Sequence, residues 1–353
     1  MTKSVETIGS SYGGTHHVLI SAMGTEKRRA QSSQSWKDHL NVNNAKILFY
    51  FLLWFILSII YNNCNKKATN ALKMPYLIAN FQIFCGIPII AVSWLSGLRK
   101  VPSIFDGPIF LRLCVISALH SGCHLAGVLS MGAGAVSFAH IVKAGEPFCT
   151  AIFSIIIVKT FYSWQVYLTL IPVCVGVAVA SASELNFSWL SFLCAVASAV
   201  FASLRGILSK ESLKTFAGRH LQAQNLYAVL TVISFFGLLI PCSIIDGPMF
   251  AEKWGAAMDK PEYMTTLVHL VASGFAYFLY NEVAFLALEA VSPVTHAVGS
   301  TFKRIFIIGS SVIFLGEPMS VPGWIGGTTA VLGVFAFSMA KNRYSAASSK
   351  SGH

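Results

Sequence analysis

Ten predominantly apolar stretches, each long enough for a helix to reach across most or all of a hydrocarbon layer about 30 Å thick, follow one another along this chain with hardly a break. Their limits read as 45–62, 76–96, 111–131, 136–158, 164–182, 187–209, 222–245, 264–288, 293–315 and 321–340. Lipid gives a peptide group no hydrogen-bond partner, so segments of this kind are expected to be helices. Their continuous apolar runs also lack the alternation of a membrane β-barrel. Composition agrees: of 353 residues, 55% are hydrophobic and 11% charged, with a mean hydropathy of +0.65. Such a balance excludes a soluble globular enzyme, a disordered chain and a nucleic-acid binder, because too few charges remain to solvate a surface or follow a phosphate backbone. The fold class is therefore all-α integral membrane, with ten transmembrane helices.

Residues 1–44 are polar, with a basic run at Lys27, Arg28 and Arg29 and no apolar core of the kind a secretory signal needs. They read as a tail, and Glu6, Glu26 and Asp38 depart from the acid-poor composition of transit peptides. Residues 341–353 read as a second tail. With ten spans both termini share a side, and that side collects 15 cations against five (Lys66, Lys67, Lys73, Lys253 and Lys260) on the other, which predicts cytosolic termini. The eight cysteines stand singly without a C-x-x-C pair and indicate neither a disulfide framework nor a thiolate metal site.

An internal repeat is visible. An offset of 155 aligns Val136 and Ser137 with Val291 and Ser292; a slip to 157 pairs Ser163 with Ser320, Gly176 with Gly333, Val177 with Val334 and Ser181 with Ser338. Five spans per half force the second half to enter from the opposite face, so the expected arrangement is two inverted repeats, 45–182 and 183–340. That plan places a ligand near the bilayer midplane in transporters.

Five cations, Lys143, Lys159, Arg205, Lys303 and Arg304, fall inside or at the ends of these spans, against two acids, Glu146 and Glu282. A cation at the centre of a membrane helix costs roughly 2.5–3.5 kcal/mol on the insertion scale, so function is its default explanation. Lys303 and Arg304 lie too deep to snorkel easily. They either hold an anionic ligand or form a structural ion pair with another helix. Lys143 has His140 one turn before it and Glu146 at i+3, so a simple pair on one helix face is the alternative. Pro147 is expected to loosen the helix beside them. Lys159, on residues alone, reads as a snorkelling terminal lysine. Arg205, about a turn from the end of the sixth span, is balanced between phosphate clamp and anchor. The excess of positive charge suits a guest with about two negative charges, and Arg and Lys together suit a phosphate monoester. Tyr277, Tyr280 and Asn281 supply neutral donors or, equally, interhelical packing. Glu146 and Glu282 are candidates for gating or coupling.

Other chemistry is weakly signalled. His120 and His124 share a helix face without a third ligand, and Gly323, Gly326 and Gly327 lack the ending of a phosphate-binding loop. No cofactor, metal or nucleic-acid partner is expected, and the chain is not read as an enzyme.

Four segments carry a family resemblance: VSFAHIVKAGEPF at 136–148, SELNFSW at 183–189, LRGILSK at 204–210 and FLYNEVAFLALEAVSPVTHAVGSTFKRIFIIGSSVIF at 278–314. Over most of residues 45–345 the chain resembles the plastid phosphate translocators of the drug/metabolite transporter superfamily. The resemblance implies exchange of inorganic phosphate for phosphorylated compounds, with Lys159, Lys303 and Arg304 on the phosphate and His140, Lys143, Arg205 and Tyr280 lining the same pocket. Glu282 stands where triose-phosphate members usually carry Gln, and the SPVTH and SSVIF segments look more like the phosphoenolpyruvate branch. The expectation is an antiporter of phosphate and phosphorylated three-carbon compounds in a plastid or apicoplast envelope membrane, as monomer or homodimer. The alternatives are a nucleotide-sugar or other metabolite carrier of the same superfamily and, from a different class, an intramembrane metalloenzyme.

Overall fold

The computed structural model describes residues 44–103, 106–215, 220–291 and 293–350, so the N-terminal tail read from sequence lies outside the described residues up to position 43. The chain divides into two units, Met1–Phe49 and Tyr50–His353. Among the described residues ten helices are long and apolar enough to cross a membrane. They are α1 (Asn44–Leu72), α2 (Pro75–Leu95), α3 (Gly107–Ala133), α4 (Val136–Val158), α5 (Trp164–Ala182), α6 (Trp189–Leu213), α7 (Ala223–Ile245), α8 (Tyr263–Ala287), α9 (Val298–Leu315) and α10 (Val321–Tyr344). A short helix at Phe250–Met258 occupies the long connection between α7 and α8. No strand occurs among the described residues.

Several boundaries differ from the sequence expectation in ways that matter for the site. The first span was expected to end at 62, but α1 runs on to Leu72, so Lys66 and Lys67 are helical residues and not loop cations. The helix of α6 continues to Thr215, which puts Arg205 ten residues from its end instead of one turn. The last helix reaches Lys350, so most of the expected C-terminal tail is helical backbone.

Three spans are broken, and proline accounts for each break. A proline ring clashes with the carbonyl four residues earlier and removes a donor, at a cost of about 3 kcal/mol in a helix interior. In α2 helix stops at Phe84, four residues before Pro88, and resumes at Gly86. In α4 it stops at Lys143, four before Pro147, and resumes at Glu146. In α5 it stops at Leu168, four before Pro172, and resumes at Leu170. The α4 break lies between Lys143 and Glu146, where charge is concentrated.

Alternating connections put the turns after α1, α3, α5, α7 and α9 at one face. Charged side chains tie helix ends together there. Glu317 accepts from the Val136 amide at 2.9 Å and the Ser137 amide at 3.3 Å, meeting the positive end of α4. The Lys66 ammonium donates to the carbonyls of Met131 and Gly134, both at 2.7 Å, meeting the negative end of α3. The Asp246 carboxylate accepts from the Leu77 amide at 2.8 Å at the start of α2. The small-residue stripe of α10 packs on α5: a side chain at Gly176 would strike the backbone of Gly326 and Ala330, one at Gly326 that of Ala180, and one at Gly333 that of Val173. Such close approach is what membrane helices use where burial of apolar surface gives no drive. Outward positions such as Leu52, Ile56, Ile240, Ile313 and Phe314 remain exposed, leaving an apolar surface suited to lipid.

Candidate functional site

The interior charges gather where α3, α4, α6, α8 and α9 meet beside α1. Arg304 of α9 donates from Nη2 to Glu146 Oε2 at 2.9 Å. Its neighbour Lys303 finds aromatic faces: Nζ lies 4.6 Å from the centroid of the Trp54 ring and 5.5 Å from that of Tyr280. Two rings beside one ammonium stabilise it by about 2 kcal/mol when desolvated, less than an ion pair but enough to hold the head group in place. Trp54 is itself held by the His296 ring, stacked at 4.8 Å, and His296 Nε2 donates to the Ala284 carbonyl at 3.1 Å.

Lys143 ends the first half of α4, and its Nζ sits 3.2 Å from where a Cβ on Gly127 of α3 would lie, so that glycine makes room for the ammonium. One turn earlier, His140 Nε2 donates to Asn62 Oδ1 at 2.7 Å. The Asn62 amide nitrogen is committed to the Ser58 carbonyl at 2.7 Å, which fixes the oxygen toward the imidazole and hence the tautomer. Arg205 Nη1 donates to His120 Nδ1 at 2.6 Å, and His120 Nε2 lies 3.3 Å from the Tyr277 hydroxyl. Because Nδ1 accepts from a guanidinium, the ring proton is on Nε2 and donates to the tyrosine oxygen. The Tyr61 ring completes the wall, 5.3 Å from Tyr280 and 5.4 Å from Tyr277.

Electrostatically these groups form one cluster. Lys303 and Arg304 are adjacent on α9, and Arg304 reaches Glu146, three residues after Lys143 on α4. Both acids read within the spans lie on membrane helices, but their partners differ. Glu282 forms an ion pair with Arg99 from the connection after α2, at the face opposite the Glu317 contact, so it is spent on a loop cation. The pairing of Glu146 also differs: it bonds Arg304 on α9, where i+3 spacing suggested Lys143. The Arg304 side chain keeps 13% of its surface accessible and Glu146 35%.

Lys159 is not drawn into this cluster. It caps the second half of α4 in a left-handed conformation (φ 58°, ψ 28°) with an exposed side chain. Asn281 donates to the Tyr277 carbonyl of its own helix at 2.8 Å. His120 uses both ring nitrogens on protein partners, which removes it as a metal ligand in this arrangement. Among the described residues no group of three or more His, Cys, Asp or Glu is placed to hold a metal. Trp54, Tyr61 and Asn62 are site residues that sequence reasoning missed. They lie within the first span as read from sequence, but their contacts with His140, Lys303 and Tyr280 run across helices and leave no mark along one segment.

Comparison with known proteins places these residues in context. Residues 45–338 match the Triose-phosphate Transporter family. The chain belongs to that family. It is 36% identical over 294 residues to a triose phosphate/phosphate translocator, chloroplastic, of Pisum sativum, covering 83% of this chain and 72% of that one. It is 34% identical over 300 residues to glucose-6-phosphate/phosphate translocator 1, chloroplastic, of Arabidopsis thaliana, covering 84% and 75%. A solved crystal structure with 14% sequence identity shares the fold at a TM-score of 0.51, over 83% of this chain and 98% of that one.

Proposed function

We propose that this member of the family is an envelope-membrane antiporter of plastids that exchanges inorganic phosphate for phosphorylated three-carbon compounds, namely triose phosphate, 3-phosphoglycerate or phosphoenolpyruvate. The single observation that carries the reading is the set of cations turned inward from three spans: Arg304 on the Glu146 carboxylate, Lys303 beside it under the rings of Trp54 and Tyr280, Lys143 against Gly127 and Arg205 on His120. Relatives named as phosphate translocators carry the antiport half of the argument. A phosphate dianion supplies the charge that Glu146 alone leaves unmatched, with Arg304 as fork and Lys303 as point charge. His140, Lys143, Arg205 and Tyr280 line the remainder. Lys159 joins the phosphate when the second half of α4 swings about the break at Pro147 and closes the site.

Alternating access in this reading rests on two inverted halves, 45–182 and 183–340, with tails 1–44 and 341–353 on the cytosolic side. Two features support the halves. Helix ends in the left-handed region fall at Lys159 and Gly316, which the 157-residue offset pairs. The same offset exchanges the α5–α10 contacts with one another: Gly176 on Ala330 becomes Gly333 on Val173. Obligatory exchange follows from charge. Without an anion the cations would have to be closed into low dielectric, which is costly; with phosphate bound they are offset.

The test is competition against labelled phosphate in phosphate-loaded proteoliposomes by triose phosphate, 3-phosphoglycerate, phosphoenolpyruvate, glucose 6-phosphate and a nucleotide sugar. Competition by the three-carbon compounds is expected. Competition by the nucleotide sugar alone would move the chain to the rival carrier class, and by glucose 6-phosphate alone to a six-carbon substrate.

A further inference from the structure

The acid at the centre of the cation cluster has a position that the carrier reading does not require. Glu146 opens the second half of α4, directly after the break, where the helix N-terminus favours a negative charge. Its backbone is pinned: the Glu146 carbonyl accepts from Thr150 Oγ1 at 3.0 Å and from Ser203 Oγ of α6 at 3.1 Å. Its side chain is not. It keeps 35% of its surface open, and its contact with Arg304 is a single bond at 2.9 Å. Arg304 touches the carboxylate, Lys303 stands next to Arg304 on α9, and Lys143 ends the half of α4 just before the break. A fixed backbone carrying a partly open carboxylate on a single cation contact is the chemistry of a stand-in ligand.

We propose that Glu146 is an internal counter-ion of the substrate site: its carboxylate occupies Arg304 in the empty carrier and is displaced when a phosphate group arrives. The proposal rests on the carrier reading and adds to it a competitor built into the chain. A phosphate dianion wins the exchange because it brings twice the charge and more acceptor oxygens, so it can engage Arg304 and Lys303 together where the carboxylate reaches one. Once displaced, Glu146 repels the bound dianion and weakens it, which favours release. The empty carrier keeps Arg304 paired, so a guanidinium is not left bare beside Lys303 between substrates. Affinity is thereby set by a difference, the hold of the cations on phosphate less their hold on Glu146.

The experiment uses the purified full chain, wild type and Glu146→Gln, and inorganic phosphate as probe. It reads the phosphate concentration giving half-maximal thermal stabilisation in detergent, and the half-saturation and maximal rate of labelled-phosphate exchange in proteoliposomes. Removing the competing charge is expected to lower both half-saturation values about fivefold, equivalent to about 1 kcal/mol, and to lower the maximal rate because release slows. The phosphate-free variant is expected to melt below the wild type and to recover with phosphate. If Glu146→Gln does not fold, Glu146→Asp, which keeps the charge on a shorter arm, is expected to shift both values the same way by less. Half-saturation unchanged or raised in the folded variant, with wild-type exchange intact, overturns the counter-ion and leaves the carrier standing. A wild type that phosphate neither stabilises nor drives through exchange overturns both.

Discussion

Lys303 and Arg304 are adjacent in sequence yet meet different partners, an aromatic pair and a carboxylate, and this division decides what each substitution should do. Arg304→Ala leaves Glu146 as an unpaired acid and removes the fork for phosphate. Lys303→Ala removes a point charge held beneath the rings of Trp54 and Tyr280. Both are expected to abolish labelled-phosphate exchange, and Lys303→Ala to do so with insertion and melting temperature close to wild type. Retained exchange in Lys303→Ala would make that lysine structural. His120 acts at one remove. His120→Leu strips the acceptor from Arg205 and the donor from Tyr277, and an unmet buried partner costs about 1–3 kcal/mol. The expected result is a lower melting temperature and a raised half-saturation for phosphate, with His120→Asn, which keeps an acceptor, falling between. An unchanged half-saturation in His120→Leu would remove Arg205 from substrate contact. At this scale sequence reasoning found the cations because charge in an apolar span is conspicuous. It could not find their partners, because Trp54, Asn62 and His120 reach them across helices, a relation no spacing along one segment contains.

Among the elements, the breaks in α2, α4 and α5 and the close seam between α5 and α10 shape the bundle most. Spans were legible because hydrophobic length is a one-dimensional signal, and each proline break could have been placed four residues ahead of its ring. Helix ends were less legible. The polar run from Asn62 to Lys67 looked like a loop, but the Asn62 and Asn63 amides bond the carbonyls of Ser58 and Ile59 one turn back and keep α1 helical. Arg205 was likewise misplaced because Lys210, Glu211 and Lys214 suggested that α6 had already left the apolar layer. The α5–α10 seam yields a test of packing. Gly176 faces the backbone of Gly326 and Ala330, which cannot yield as a side chain would. Gly176→Leu is expected to cost about 1–3 kcal/mol or more and to lower the melting temperature in detergent, whereas Gly206→Ala, with open space around it, should leave stability within about 0.5 kcal/mol. Equal melting of the two variants would contradict the seam.

At the level of the whole molecule, the contacts of Glu317 and Lys66 close one face of the bundle, while the exposed Lys159 stands at the opposite face. In the proposed reading, one face tied and Lys159 exposed at the other would be half of an alternating-access cycle. The other half requires the central cations to pass through an occluded state, and Glu146 can offset only one of the four. The proposed mechanism therefore has a second anion travel with every crossing. The most direct measurement is uptake of labelled phosphate into liposomes containing the purified full chain, with and without unlabelled phosphate trapped inside. The charge argument predicts rapid saturable uptake only into the loaded vesicles. Equal uptake into empty vesicles would contradict it, because it would mean that the cluster closes and reopens with no anion between its cations.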